Sequence, residues 1–166
     1  GELRCTSALG KGTTFQLLLP ATQPGVAARR VATRNQDEKS THSAPLNILL
    51  VEDEVMVRRS ARRVLRHAGH VVTEAGDGKE GVDSYLQAAP RPDVVLLDLD
   101  MPVMGGEEAL TRIRAADPDA VVVLTSGHRD ASHETQLVSL GASGFVRKPW
   151  TGTELLAAIT QAVVRR

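Results

Sequence analysis

Seven side chains near the ends of short apolar runs have the types and spacing for shared chemistry: Glu52 and Asp53, Asp98 and Asp100, Thr125 and Ser126, and Lys148. Carboxylates crowded at one place repel and raise one another's pKa unless a cation sits among them. A hard divalent ion relieves that repulsion. Mg2+ (or Mn2+) suits a few carboxylates completed by waters and a phosphoryl oxygen. A lysine adds a compact positive charge that fits a phosphoryl group. Taken singly, each residue has a plain structural reading. A strand-end Asp caps a helix or turn, Lys148 before Pro149 is a surface lysine, and Ser126 before Gly127 is a turn serine. Their placement together at one edge is what points to phosphoryl chemistry.

The elements that must position them begin at Leu46. Apolar runs at Ile48–Val51, Val71–Val72, Val94–Leu97, Val121–Leu124 and Phe145–Val146 are short, and the longest are continuous. Continuous runs are how strands covered on both faces of a parallel sheet read. Helical stretches alternate with them at Val55–His67, Lys79–Ala88, Glu107–Ala116, Ala131–Leu140 and Thr153–Val164, punctuated by Gly69, Gly141 and Asp117-Pro118. Five βα units with short connections predict a doubly wound α/β sandwich, in which ligand chemistry sits at the C-terminal ends of the strands.

Bulk properties narrow the function classes. A hydrophobic share of 42% fills one core, but with 2% aromatics that core must be aliphatic. Twenty basic and twenty acidic side chains cancel, which gives no electrostatic support for nucleic-acid binding. Cys5 has no second cysteine to pair with, and no apolar run approaches a membrane span. A soluble, cytoplasmic protein without membrane contact is expected. Residues 1–20 read as two strands, Leu3 to Ser7 and Thr13 to Leu19, around a Gly-rich turn. A lone hairpin is marginal in water, so these strands look like the end of something larger. Residues 21–45 lack an apolar period and are rich in polar and charged side chains, the composition of a flexible linker.

Residues 46–166 resemble a response-regulator receiver domain. The resemblance lies in LNILLVEDE, VVLLDLDMPVMGGEE, VVVLTSGH and GFVRKPW, in that order. It implies a flavodoxin-like (βα)5 sheet of five parallel strands. By the same resemblance Asp98 is the phosphoacceptor. Glu52, Asp53, Asp98 and the Asp100 backbone carbonyl hold Mg2+, and Lys148 contacts the phosphoryl oxygens. Phe145 is then the switch aromatic. The family places the switch hydroxyl at the separation Ser126 keeps from Lys148, 22 residues. Ser126 is therefore chosen over its neighbour Thr125, since alternation along a strand lets only one face the site. Asp100 and His128 occupy positions that tune dephosphorylation. Two departures from the pattern are Glu at position 52 for the commoner Asp, and Trp150 for the usual Phe.

Residues 1–20 resemble the last strands of a histidine-kinase ATP-binding domain, through Gly10-Lys11-Gly12-Thr13-Thr14-Phe15 and the apolar run after it. The whole then reads as the C-terminal piece of a hybrid histidine kinase, whose parent chain can carry a membrane anchor upstream. No kinase activity is expected of this piece; slow self-dephosphorylation of the acceptor is. Its partners are a histidine kinase or histidine phosphotransfer domain, in cis or in trans, and a weak homodimer through the helix over 131–140 is compatible. Three rival readings fit less well. A haloacid-dehalogenase-like phosphatase shares the Asp98-x-Asp100 pattern but carries its acidic pair after the lysine. A DNA-binding regulator needs an output domain, for which residues 151–166 leave no room. A degenerate receiver acting only as a binding module would not need Asp98, the acidic pair and Lys148.

Overall fold

The computed structural model describes residues 2–8, 10, 12–18, 44–127 and 137–165, and it divides into two compact units, residues 1–43 and 44–166. The first unit is an antiparallel hairpin of β1 (Glu2–Ala8) and β2 (Gly12–Leu18). Gly10 and Gly12 turn it with φ of 76° and 83°, a region only glycine enters without strain. Leu3 stands opposite Leu17, and Cys5 opposite Phe15, so one face of the ribbon is apolar and exposed. The expected linker lies, from residue 21 to 43, outside the described residues.

The second unit contains β3 (Asn47–Val51), α1 (Val55–His67), β4 (Val71–Ala75), α2 (Gly78–Gln87), β5 (Val94–Asp98) and α3 (Gly106–Ala116). It continues with β6 (Val122–Ser126), β7 (Gly144–Arg147) and α4 (Gly152–Val164). Residues 137–139 are helical and Leu140 is in a turn, while residues 131–136 of the helix expected over 131–140 fall outside the described residues. The five strands form one parallel sheet in the order β4-β3-β5-β6-β7. This is the flavodoxin-like arrangement expected from the alternating pattern.

Side chains alternate across a strand, and here the alternation builds two cores. Leu49, Val51, Val95, Leu97, Val122 and Leu124 meet α2 and α3 through Val82, Tyr85, Leu110 and Ile113. Ile48, Leu50, Val94, Leu96, Val121 and Val123 meet α1 and α4 through Ala61, Leu65, Leu155 and Ile159. Each such fully buried aliphatic side chain stabilises by about 1.5–3 kcal/mol. The cores are aliphatic, as the composition requires. Tyr85 is the exception among the described residues, and its hydroxyl donates to Asp117 at 2.7 Å.

Local signals place the helices. Asp77 caps α2 by accepting from the Glu80 N–H, and Thr151 with Glu154 forms a capping box on α4. Gly69, at φ 91°, ends α1. The chain passes from β3 outward to β4 and returns on the other side as β5. The strand order therefore reverses between β3 and β5, and a crevice opens where Val51 and Asp98 end.

Candidate functional site

Three carboxylates converge at that crevice. Glu52 follows β3 directly and is buried, as is Asp98, the last residue of β5, while Asp53 is half-buried. One ligand oxygen from each lies within 4.8 Å of the others. Lys148, just past β7, reaches into the group. Its Nζ lies 2.7 Å from Glu52 Oε2 and 2.9 Å from Asp98 Oδ1. The lysine backbone is fixed as well, because its N–H donates to the Ser126 carbonyl at 2.8 Å.

The electrostatics follow from this packing. Burial raises the Glu52 carboxyl above the usual carboxylate range; the Lys148 hydrogen bond pulls it down and the Asp98 charge pushes it up. Burial also works to lower the Lys148 ammonium, but its bonds to Glu52 and Asp98 outweigh that and hold it above the ordinary lysine value. A mutually close, oxygen-only donor set that keeps one oxygen-rich corner half-open matches what a small hard cation takes. The residues present fit Mg2+ or Mn2+.

Arg58 supports the acidic loop in a way the sequence did not signal. It is one of five arginines in α1, with Arg59, Arg62, Arg63 and Arg66, a pattern that by itself marks a solvent-facing side. Instead its guanidinium turns back and donates to the backbone carbonyls of Glu52 and Asp53. Arg58 follows the acidic pair by five and six residues, near enough in the first turn of α1 for its long side chain to reach back.

Past Asp98 the backbone doubles back tightly. The Leu99 N–H donates to the Thr125 carbonyl, and the Gly106 N–H to the Leu99 carbonyl, both at 3.0 Å. A Cβ on Gly106 would sit 2.2 Å from the Asp98 carbonyl oxygen, so glycine is required there by contact. Val103 holds φ at 69°, and the Met104 N–H bonds the Pro102 carbonyl across it, a strained γ-turn for a β-branched residue.

The two hydroxyls divide. Thr125 donates to Asp98 Oδ1 at 3.3 Å, and Ser126 donates to Asp100 Oδ2 at 3.4 Å. Alternation does send them to opposite faces, but the site lies over the sheet's edge, where both can reach an acid. Phe145 pairs with Leu124 and thus shares a face with Ser126; it is half-buried against the α2/α3 core. His128 lies outside the described residues. Beside Lys148 a cleft of about 500 Å³ opens between α1 and the start of α4, lined by Met56, Val57, Ser60, Pro149 and Trp150.

Residues 48–160 match the family profile of the response regulator receiver domain. The chain belongs to that family. Protein CcdB of Bacillus subtilis is 34% identical over 117 residues, covering 70% of this receiver-containing chain and 96% of CcdB. Sensor kinase CckA of Brucella abortus is 31% identical over 174 residues. That alignment takes in 100% of this chain, which spans only 18% of the length of CckA. Among solved structures, the CheX-CheY-BeF3-Mg2+ complex of Borrelia burgdorferi superimposes with a TM-score of 0.68 at 29% identity, covering 70% of this chain and 87% of the matched one. Membership in the receiver family, a component of two-component signalling, sets aside the phosphatase alternative. Among the described residues no helix is long and apolar enough to cross a membrane.

Proposed function

We propose that residues 46–166 are a working receiver that takes a phosphoryl group from a phosphohistidine onto Asp98. The observation that carries this reading is the position of Asp98 Oδ1, 2.9 Å from the Lys148 ammonium and clustered with two further carboxylates. A degenerate module would not keep a buried acid, its counter-charge and a cation-ready pair of acids in contact. In the transfer, an Asp98 carboxylate oxygen forms a bond to phosphorus as the donor's P–N bond breaks, and the electron pair leaves with the imidazole nitrogen. Glu52, Asp53, Asp98 and the Asp100 carbonyl would hold Mg2+ or Mn2+, which supplies neutralisation of charge on the phosphoryl oxygens. Lys148 shifts its ammonium from the carboxylates to those oxygens, and catalysis is positioning plus charge stabilisation. Ser126 leaves Asp100 to bond the phosphoryl group, and Phe145, on the same face, moves into the space it vacates. Asp100 and His128 tune the lifetime of the phosphorylated state.

We further propose that the chain is the end of a hybrid histidine kinase, with residues 1–20 closing an ATP-binding domain, 21–45 a linker and 46–166 the receiver. Support comes from the alignment to sensor kinase CckA over the full chain and from the hairpin of β1 and β2, whose apolar face is exposed among the described residues. Its phosphodonor is then a histidine kinase or phosphotransfer domain, in the same chain or another. The test of the acceptor is incubation with Mg2+ and acetyl phosphate, read by intact mass. A gain of about 80 Da is expected in the wild type and not in Asp98→Ala. No gain in the wild type, or an equal gain in the variant, overturns the assignment. Reading the coding region upstream of Gly1 tests the parent chain; a frame without a kinase core removes that proposal.

A further inference from the structure

The site holds two hydroxyls where the switch requires one, and their geometry differs. Asp98 and Thr125 are direct partners in the parallel register of β5 and β6, so their side chains project on the same side of the sheet. Ser126, one residue further, projects with Leu124 toward the side of Phe145. Both Asp98 and Thr125 are buried, at 3% exposure each. The Thr125 hydroxyl donates to Asp98 Oδ1, and the Lys148 ammonium approaches that same oxygen. Two donors therefore meet on one carboxylate oxygen, and the described residues place no hydrogen bond on Oδ2.

We infer that Thr125 is a positioning residue: its hydroxyl fixes the plane of the Asp98 carboxylate and so orients the acceptor before the phosphoryl donor arrives. This rests on the reading of Asp98 as the phosphoacceptor. A carboxylate torsion is broad and roughly two-fold, so nothing intrinsic to Asp98 chooses its plane. Lys148 cannot hold it through the reaction, since it must turn to the phosphoryl oxygens. Thr125 is under no such demand. Its backbone carbonyl is tied to the Leu99 N–H at 3.0 Å, and it is buried beside Asp98 on the neighbouring strand. Reactive geometry must be met closely for transfer, and loss of a fixed orientation lowers the rate of bond formation. The role of Ser126 is separate, because it acts after transfer, on the phosphoryl group and through Phe145. Thr125 thus governs how fast Asp98 is loaded, and Ser126 what loading does.

The experiment measures two rates on the wild-type chain, Thr125→Val, Thr125→Ser and Ser126→Ala. One is the phosphorylation rate across a range of acetyl phosphate concentrations with Mg2+, and the other is the decay rate of the loaded protein after donor removal. Thr125→Val, close in shape but without the hydroxyl, is expected to lower the saturating phosphorylation rate about ten-fold, as the loss of one orienting hydrogen bond to a charged group implies. Its decay rate and half-saturating donor concentration stay within about two-fold of wild type. Thr125→Ser restores most of the rate, which a purely packing role for the threonine methyl would not allow. Equal loading rates for Thr125→Val and wild type overturn the inference, and so does a Thr125→Ser variant as slow as Thr125→Val. If Thr125→Val does not fold, Thr125→Ala takes its place in the comparison with Thr125→Ser, and equal loading rates for the two overturn the inference. A wild-type chain that takes no phosphoryl group overturns the acceptor reading instead, so the two failures are distinct.

Discussion

Replacing Lys148 with methionine isolates the charge that holds the site together before any phosphoryl group arrives. Methionine keeps much of the apolar stem but removes the ammonium that sits 2.7 Å from Glu52 Oε2 and 2.9 Å from Asp98 Oδ1. Those two carboxylate side chains are each only 4% exposed, and their ligand oxygens lie within 4.8 Å. At an effective dielectric constant near 20, two charges at that distance repel by about 3.5 kcal/mol. Breaking a fully buried pair costs about 3–5 kcal/mol, and partial exposure of Lys148 brings the expected loss down to about 2–3 kcal/mol. For a domain of this size that is a fall in Tm of about 10 °C. The sign with pH follows from linkage. Without the ammonium, Glu52 loses the bond that pulls its raised carboxyl down, so the folded state takes up a proton at higher pH than the unfolded chain does. The deficit is therefore greatest at and above neutral pH and shrinks as pH falls. In the wild type, the raised Lys148 value means its stabilisation is fully present below the ordinary lysine pKa and is lost only as pH rises through the folded one. Urea unfolding of both proteins at roughly pH 5 and pH 7.5, with EDTA or with Mg2+, measures each arm. Recovery at low pH and with Mg2+ is expected. A deficit equal at both pH values and indifferent to Mg2+ would refute the reasoning.

Three further outcomes follow from the same contacts. Gly106→Ala places a methyl 2.2 Å from the Asp98 carbonyl oxygen and 2.8 Å from Leu99 Cα, both backbone, so α3 must move. A loss of about 2–3 kcal/mol in urea, with slower loading by acetyl phosphate, is expected; wild-type values in both would show the contact to be soft. Val103→Gly relieves a positive φ of 69°, and the strain released, about 1–2 kcal/mol, exceeds the roughly 0.5–1 kcal/mol that glycine adds to the unfolded chain's entropy. The midpoint in urea should rise slightly, and a clear fall would contradict the strain. His70 accepts the Leu46 N–H at Nδ1, and burial lowers its pKa. Because the unfolded chain protonates first, stability should decline as pH falls below about 6.5 toward the folded value. His70→Gln should flatten that decline, and an unchanged slope would discount the histidine.

Much of this molecule was legible in its residues because burial writes directly onto sequence. The runs Ile48–Val51, Val94–Leu97 and Val121–Leu124 are apolar at every position since both faces of those strands are covered, and the structure places them at the three central strands. Strand ends then indicated where Glu52, Asp98 and Lys148 had to meet. Edge strand β4 shows only Val71–Val72 as an apolar run but is five residues long, because Thr73 is exposed and Glu74 is held by Arg62 of α1 at 2.9 Å, so neither leaves an apolar mark. The turning of Arg58 onto the acidic loop was hidden, since a helical pattern records which face a residue occupies and not where a long side chain folds back. The pairing of Thr125 with Asp98 was also hidden. It depends on the register between two strands, and register is set by the packing of both cores together.

The scarcity of rings has an experimental consequence. The chain has one tryptophan and one tyrosine, and they fall on opposite sides of the sheet. Trp150 packs against the α1/α4 core and Tyr85 lies within the α2/α3 core. Each layer thus carries its own chromophore, with no second copy to blur the signal. Tryptophan emission and tyrosine absorbance, followed through one melt, report whether the two halves of the sandwich come apart in a single step or in sequence.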